Sequence, residues 1–258
     1  MRSFLTALQF LTRIHIVNQR DLTMADFGRS TRYFPLVGVV LGLIYAFFAL
    51  VLMVFLGSHL YTVRAFLTLL PLLLTGGLHC DGFMDTVDGL FSGRSRERML
   101  EIMKDSRTGS FGVVAFGSLL LFNWSLILDL QEPVLVVALF AMPIIGRLAM
   151  LFVVSYFPYA RPEGMGKAFS EMADHKALAI GVVTAVLFVV PVGLAAILAL
   201  AAGILWAFLL GRYATRKLGG VTGDVYGAAE MTTETVVLVV FFLCAHLPIT
   251  RGALFLWM

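Results

Sequence analysis

The run PLVGVVLGLIYAFFALVLMVFL at residues 35–56 carries no charged side chain. At ~1.5 Å of rise per residue, a helix of this length crosses a ~30 Å hydrocarbon core. The composition of the whole chain agrees: 60% of residues are hydrophobic and 14% charged, against ~45–50% apolar and ~25% charged in globular domains. An ordinary soluble domain is excluded. The chain reads as an all-α, polytopic transmembrane helical bundle formed as a single domain over residues 1–258.

Five further apolar runs follow the first. They extend from about Tyr61 to Leu78, Phe111 to Leu128, Pro133 to Phe157, and Ala177 to Leu210, with a last one reaching about Leu247. The run 177–210 would be ~51 Å long as one helix, too long for one crossing, and Pro191-Val192-Gly193 divides it into two. About seven spans result. Ahead of them, Phe4, Leu5, Leu8, Leu11 and Ile14 recur at helical spacing between Gln9, Thr12 and Arg13, which predicts an amphipathic helix on the membrane surface within residues 1–20 rather than a signal peptide.

Between the spans lie the polar segments 79–109, 158–176 and 212–234. With the amino terminus in the cytoplasm, all of the 19 Lys and Arg residues except Arg64, Arg147 and Arg251 fall on the cytoplasmic side, as do all of the 16 Asp and Glu residues except Asp129 and Glu132. The positive-inside rule therefore orients the chain as a multi-pass membrane protein with its ionisable chemistry facing the cytoplasm. The net charge of +3 serves this orientation, and no nucleic-acid partner is implied. Cys80 and Cys244 are too few and too far apart for a disulfide framework or thiolate metal site. No internal repeat supports an inverted-repeat transporter.

The most informative polar stretch is Gly76-Gly77-Leu78-His79-Cys80-Asp81-Gly82-Phe83-Met84-Asp85-Thr86-Val87-Asp88-Gly89. On a helix, Asp81, Asp85 and Asp88 at i, i+4 and i+7 share a stripe ~60° wide. Their mutual repulsion favours a hard divalent cation such as Mg²⁺, which takes carboxylate and phosphate oxygens. The bland alternative is a solvated helix end paired with Arg94, Arg96 or Arg98. His79 falls on the opposite side from Asp81, as a cap or packing residue or as a proton-transfer group.

A second stretch, Lys104-Asp105-Ser106-Arg107-Thr108-Gly109-Ser110, places two cations at a helix start, where phosphate is favoured. A positive-inside anchor explains Lys104 and Arg107 about as well. The third, Gly219 to Glu234, carries Asp224 and the i, i+4 pair Glu230 and Glu234, so that two acidic groups joined by cations suggest metal-assisted phosphoryl transfer. A solvated helix start is the competing reading. Arg147, inside a span, either reaches a substrate phosphate or pairs with a carboxylate. The loop from Arg161 to Lys167 is either a lid or a plain connector.

On these three motifs, on Ala7 to Ile14, and on Tyr33-Phe34-Pro35-Leu36-Val37-Gly38, the sequence resembles the cobalamin-5'-phosphate synthase family, also called adenosylcobinamide-GDP ribazoletransferases. The resemblance covers most of the chain. It implies that a ribosyl hydroxyl of α-ribazole, or of its 5'-phosphate, attacks adenosylcobinamide-GDP and displaces GMP with Mg²⁺ required. In this reading Asp81, Asp85, Asp88, Asp224, Glu230 and Glu234 form the metal set, and Asp81, Asp85, Asp224 and Glu234 are catalytic. Lys104, Arg107 and Arg147 hold phosphate, with His79 and Arg161 nearby. The other partner is membrane lipid, and the reading leaves room for a homo-oligomer. Two alternatives stand beside it: a CDP-alcohol-type phosphotransferase making a lipid, and a divalent-cation transporter.

Overall fold

In a computed structural model, the structure describes residues 2–19, 21–57 and 60–246. The helices are α1 (Arg2–Leu11), α2 (Met24–Ser30), α3 (Phe34–Leu56), α4 (Tyr61–Thr75), α5 (Leu78–Leu90), α6 (Arg96–Ile102), α7 (Ser110–Asp129), α8 (Glu132–Tyr156), α9 (Met165–Met172), α10 (His175–Val189), α11 (Leu194–Leu218) and α12 (Gly223–His246). Among the described residues no β-strand forms, and one isolated bridge pairs Tyr159 with Val221.

Among the described residues, six helical stretches are long and apolar enough to cross a membrane: Met24–Leu56, Ser110–Asp129, Glu132–Tyr156, His175–Val192, Leu194–Leu218 and Gly223–His246. The pair α4 and α5, bent by 91°, makes a seventh if counted together. This is the multi-pass helical bundle that the apolar runs predict. Ser58 and His59 of the expected turn, and Arg251 on the far side, lie outside the described residues.

The bundle is built around α8, which packs on α3, α10, α11 and α12 and is buried continuously from Ala141 to Leu151. Close approach to α3 depends on small residues four apart. A Cβ on Gly38 would stand 2.7 Å from the Ile144 Cα, and one on Gly42 would press into the Phe140 carbonyl. At the far end Arg64 is buried and donates to the carbonyls of Ile127 (2.9 Å) and Leu130 (3.0 Å), closing the C-terminus of α7 with a cation where the helix dipole favours one.

Two expected boundaries move. The amino-terminal helix stops at Leu11, well short of residue 20, because the Thr12 hydroxyl donates to the Leu8 carbonyl and accepts from the Ile14 N–H, turning the chain out of the helix. Its apolar face, with Ala7, Leu8 and Leu11 fully or nearly fully buried, packs on α2 and α3. The segment 212–234 is largely helical: α11 continues to Leu218, where Gly219 takes a left-handed φ of 76°, and α12 starts at Gly223. Glu230 and Glu234 do not end that helix in water because they are matched inside the bundle, as described next.

Candidate active site

The bend between α4 and α5 falls at Gly76 and Gly77, both in the left-handed region with φ of 65° and 76°. Two successive residues there require glycine. The bend lays α5 over the start of α12 and beside the start of α7. Its apolar side packs Cys80 and Phe83 on Ala228 and Met231, and Cys80 and Cys244 are both buried. Where the two helices touch, a Cβ on Gly82 would stand 2.9 Å from the Asp224 carbonyl oxygen, and one on Gly227 would stand 3.3 Å from the His79 Cα. The glycines thus bring the first acidic motif onto the second.

The remaining wall is set by a loop pairing. The Ala160 N–H donates to Val221 O and the Val221 N–H to Pro158 O, each at 2.8 Å. This pins the loop after α8 to the turn before α12, and it delivers Arg161 to Asp224, whose Oδ2 accepts from Arg161 Nη2 at 2.9 Å and from Thr222 Oγ1 at 3.1 Å. Asp85 is half-buried and lies within electrostatic reach of Asp81, Asp88, Asp224 and Arg161. Burial raises the pKa of the neighbouring Tyr159 phenol. A cavity of about 650 Å³ opens beside this group and is lined by Arg161, Gly223, Tyr159 and Lys104, among others.

The structure does not bring all six predicted acidic ligands to one point. Asp88 turns to α7, where Oδ2 accepts from the Gly109 N–H (2.8 Å) and Oδ1 from the Gly112 N–H (2.9 Å). Gly109 has no side chain to cap that helix, and Asp88 caps it from a neighbouring element. Asp88→Ala should therefore lower stability by about 1–3 kcal/mol, read as a drop in thermal midpoint in detergent. Unchanged melting with loss of metal-dependent turnover would instead make Asp88 a ligand.

Glu230 and Glu234 lie roughly 9 Å and 15 Å farther along α12 than Asp224. Both are buried and both are ion-paired to the buried Arg147 of α8. Gly146 permits this approach, since a Cβ there would stand 2.9 Å from the Glu234 Cγ. Of the two sequence readings of Arg147, the geometry favours the structural pair over the phosphate ligand. His79 Nδ1 stands 3.9 Å from Glu230 Oε2, and its ring lines a small cavity of about 40 Å³ with Arg147, Glu230 and Glu234.

The basic motif divides as well. Lys104 lines the large cavity, whereas Arg107 is exposed and holds Asp105 at 2.7 Å, keeping that carboxyl down to about 2. The group that converges is thus Asp81, Asp85, Asp224, Arg161 and Lys104. Thr222 and the bridge from Tyr159 to Val221 support it, and no spacing rule would have singled out either one.

Three carboxylates offer an all-oxygen donor set, the chemistry suited to a hard divalent cation. Among the described residues no three His, Cys, Asp or Glu side chains close into a ready-made cage. Magnesium does not need one, since it keeps several waters and takes one or two carboxylates plus substrate phosphate oxygens. The residues present fit such an ion.

The family model described as cobalamin-5-phosphate synthase matches residues 3–242. Relatives named adenosylcobinamide-GDP ribazoletransferase include one from Clostridium acetobutylicum, 38% identical over 93% of this chain and 96% of its own. Another, from Desulfitobacterium hafniense, is 40% identical over 92% and 95%, and one from Syntrophobacter fumaroxidans is 41% identical over 91% and 96%. No solved structure matches. A family match over nearly the whole length, together with relatives this similar, places the chain in the cobalamin-5-phosphate synthase family.

Proposed function

We propose that this chain transfers the adenosylcobinamide-phosphate group of adenosylcobinamide-GDP to a ribosyl hydroxyl of α-ribazole, or of its 5'-phosphate, with release of GMP. The observation that carries the reading is the juxtaposition of Asp81, Asp85 and Asp224 with a cavity whose walls include Arg161 and Lys104. A diphosphate needs cations at its oxygens, and a transfer to a hydroxyl needs a proton acceptor beside the phosphorus.

Asp81, Asp85 and Asp224 would hold Mg²⁺. Bound there, the ion would supply positive charge to offset the charge that develops on the leaving phosphate. The chain's own residues do the rest. Lys104 and Arg161 orient the diphosphate, and Arg161 is itself held in place by Asp224. In the transfer the acceptor oxygen bonds to the cobinamide-side phosphorus, the bond to GMP breaks, and the hydroxyl proton passes to a carboxylate oxygen of this group. Asp85 suits that step, because no hydrogen bond ties up its oxygens among the described residues. Glu234, a second candidate by sequence, is instead held by Arg147. The distribution of Lys and Arg supports a cytoplasmic orientation for this end of the bundle, and the bacterial relatives support the inner membrane of a prokaryote.

The transporter alternative needs uncompensated acids within the spans. Glu230 and Glu234, the acids farthest along α12 among the described residues, are both paired with Arg147.

Purified protein given adenosylcobinamide-GDP, α-ribazole and Mg²⁺ should release GMP, lose that activity in EDTA and regain it when Mg²⁺ is restored. Turnover of a CDP-alcohol without GMP release would overturn the corrinoid reading, and turnover indifferent to EDTA would overturn the metal.

A further inference from the structure

Away from the acidic group, α5 and α11 both pack on α12 and leave between them a cavity of about 560 Å³. Each helix lines it with one stripe at i, i+3, i+4 and i+7, from Phe83 to Leu90 on α5 and from Trp206 to Tyr213 on α11. On α5 this stripe lies on the opposite side from Asp81, Asp85 and Asp88. The polar atoms of the floor are satisfied, since Trp206 Nε1 donates to Thr232 Oγ1 (2.8 Å) and that hydroxyl donates to the Ala228 carbonyl (2.6 Å). Thr86 is the exception. It is 3% exposed and its hydroxyl has no partner among the described residues, so an otherwise hydrocarbon wall offers one hydrogen-bond donor.

The polar end of the groove is basic. The rings of Phe91 and Tyr213 stack there with centroids 6.2 Å apart, and Lys217, one turn farther along the same face of α11, lays its Nζ over the Tyr213 ring at 5.9 Å. Arg96 is drawn to the same end, its Nε donating to the Leu218 carbonyl at 2.6 Å. Arg216 is exposed next to Lys217, and no acidic residue occurs from 212 to 223. An apolar slot along a membrane-spanning helix that opens onto cations matches a molecule with a hydrocarbon chain and an anionic head. An acidic peptide would leave the slot unfilled, and an uncharged lipid would leave the cations unmatched.

We propose that this groove seats one acyl chain of an anionic phospholipid, with the phosphate at Lys217 and an ester carbonyl accepting from the Thr86 hydroxyl. The lipid braces α5 from the side opposite its carboxylates, and its seat does not depend on the reaction assigned to them.

Trp206 reports on the groove. A Trp124→Phe, Trp257→Phe background leaves it as the remaining one of the chain's three tryptophans, and brominated lipids added to the full chain in detergent quench its fluorescence on contact. Brominated phosphatidylglycerol should quench at a concentration lower by about fivefold or more than brominated phosphatidylcholine. In that background Arg216→Gln with Lys217→Gln should bring the two lipids to near equality, whereas Thr86→Val should weaken both alike. Phosphatidylglycerol should also raise the thermal midpoint of the wild-type chain more than phosphatidylcholine does, and should lose that advantage in the Gln double variant. Equal quenching by the two lipids overturns the anionic head, and absence of quenching by either overturns the seat. Quenching that adenosylcobinamide relieves gives the groove to the corrinoid ring and overturns the lipid.

Discussion

Asp85→Asn should lower kcat/KM for GMP release by about a thousandfold while leaving the thermal midpoint unchanged or slightly raised. Asparagine fills the same volume, so the packing of α5 on α12 is preserved. What disappears is one unit of negative charge at the centre of the acidic group, where Asp81 and Asp224 face Asp85 from the same helix and from across the helix contact. Like charges this close oppose folding, and their removal stabilises the empty protein even as it disables the reaction, the trade expected where a site holds strain for function. The size of the kinetic loss follows from the two roles combined. Loss of a proton acceptor alone contributes about 10²–10⁴ in rate, and a weakened metal site adds to it. Asp224→Asn should be as inactive but less stable, since it also gives up its charge pairing with Arg161. An Asp85→Asn protein that retains a tenth of wild-type activity would remove Asp85 from the reacting centre.

The parts of this arrangement that sequence alone reveals are those set by local rules. Apolar runs give the spans because hydropathy is additive along the chain. The stripe of Asp81, Asp85 and Asp88 follows from helical period, whereas the bend at Gly76-Gly77, inside the run read as one span from about Tyr61 to Leu78, shows only in the backbone angles. What local rules cannot supply is the neighbour each side chain meets. Asp88 shares the stripe yet caps α7, and that is decided by where α7 begins in space.

Averaged hydropathy also treats Glu230 and Glu234 as marks of a watery segment. Inside the bundle their charge is matched by Arg147, 83 and 87 residues away in sequence, so the helix continues through them. The loop from Arg161 to Lys167 reads equally as lid or connector for the same reason, since the placing of Arg161 depends on a backbone pairing between Tyr159 and Val221 that leaves no periodic trace.

Arg147→Met should destabilise the protein by about 3–5 kcal/mol, a large share of the ~5–15 kcal/mol that keeps a typical protein folded. The guanidinium is 1% exposed and pairs with two carboxylates that are themselves buried. Taking it away leaves two like charges facing each other with neither water nor a cation to offset them, and each must then be neutralised by a proton or the helices must part. Methionine keeps most of the volume, so the loss reads as electrostatic rather than as a cavity. Adding Glu230→Gln and Glu234→Gln to Arg147→Met should recover much of the thermal midpoint, because the triple variant has no buried charge left to strand. If the arginine instead bound substrate phosphate, Arg147→Met would melt like wild type and raise KM for adenosylcobinamide-GDP, and the two Gln substitutions would rescue nothing. Thermal melting in detergent together with steady-state kinetics on the same preparations separates the two, because a structural pair moves the melting midpoint first and a phosphate ligand moves KM.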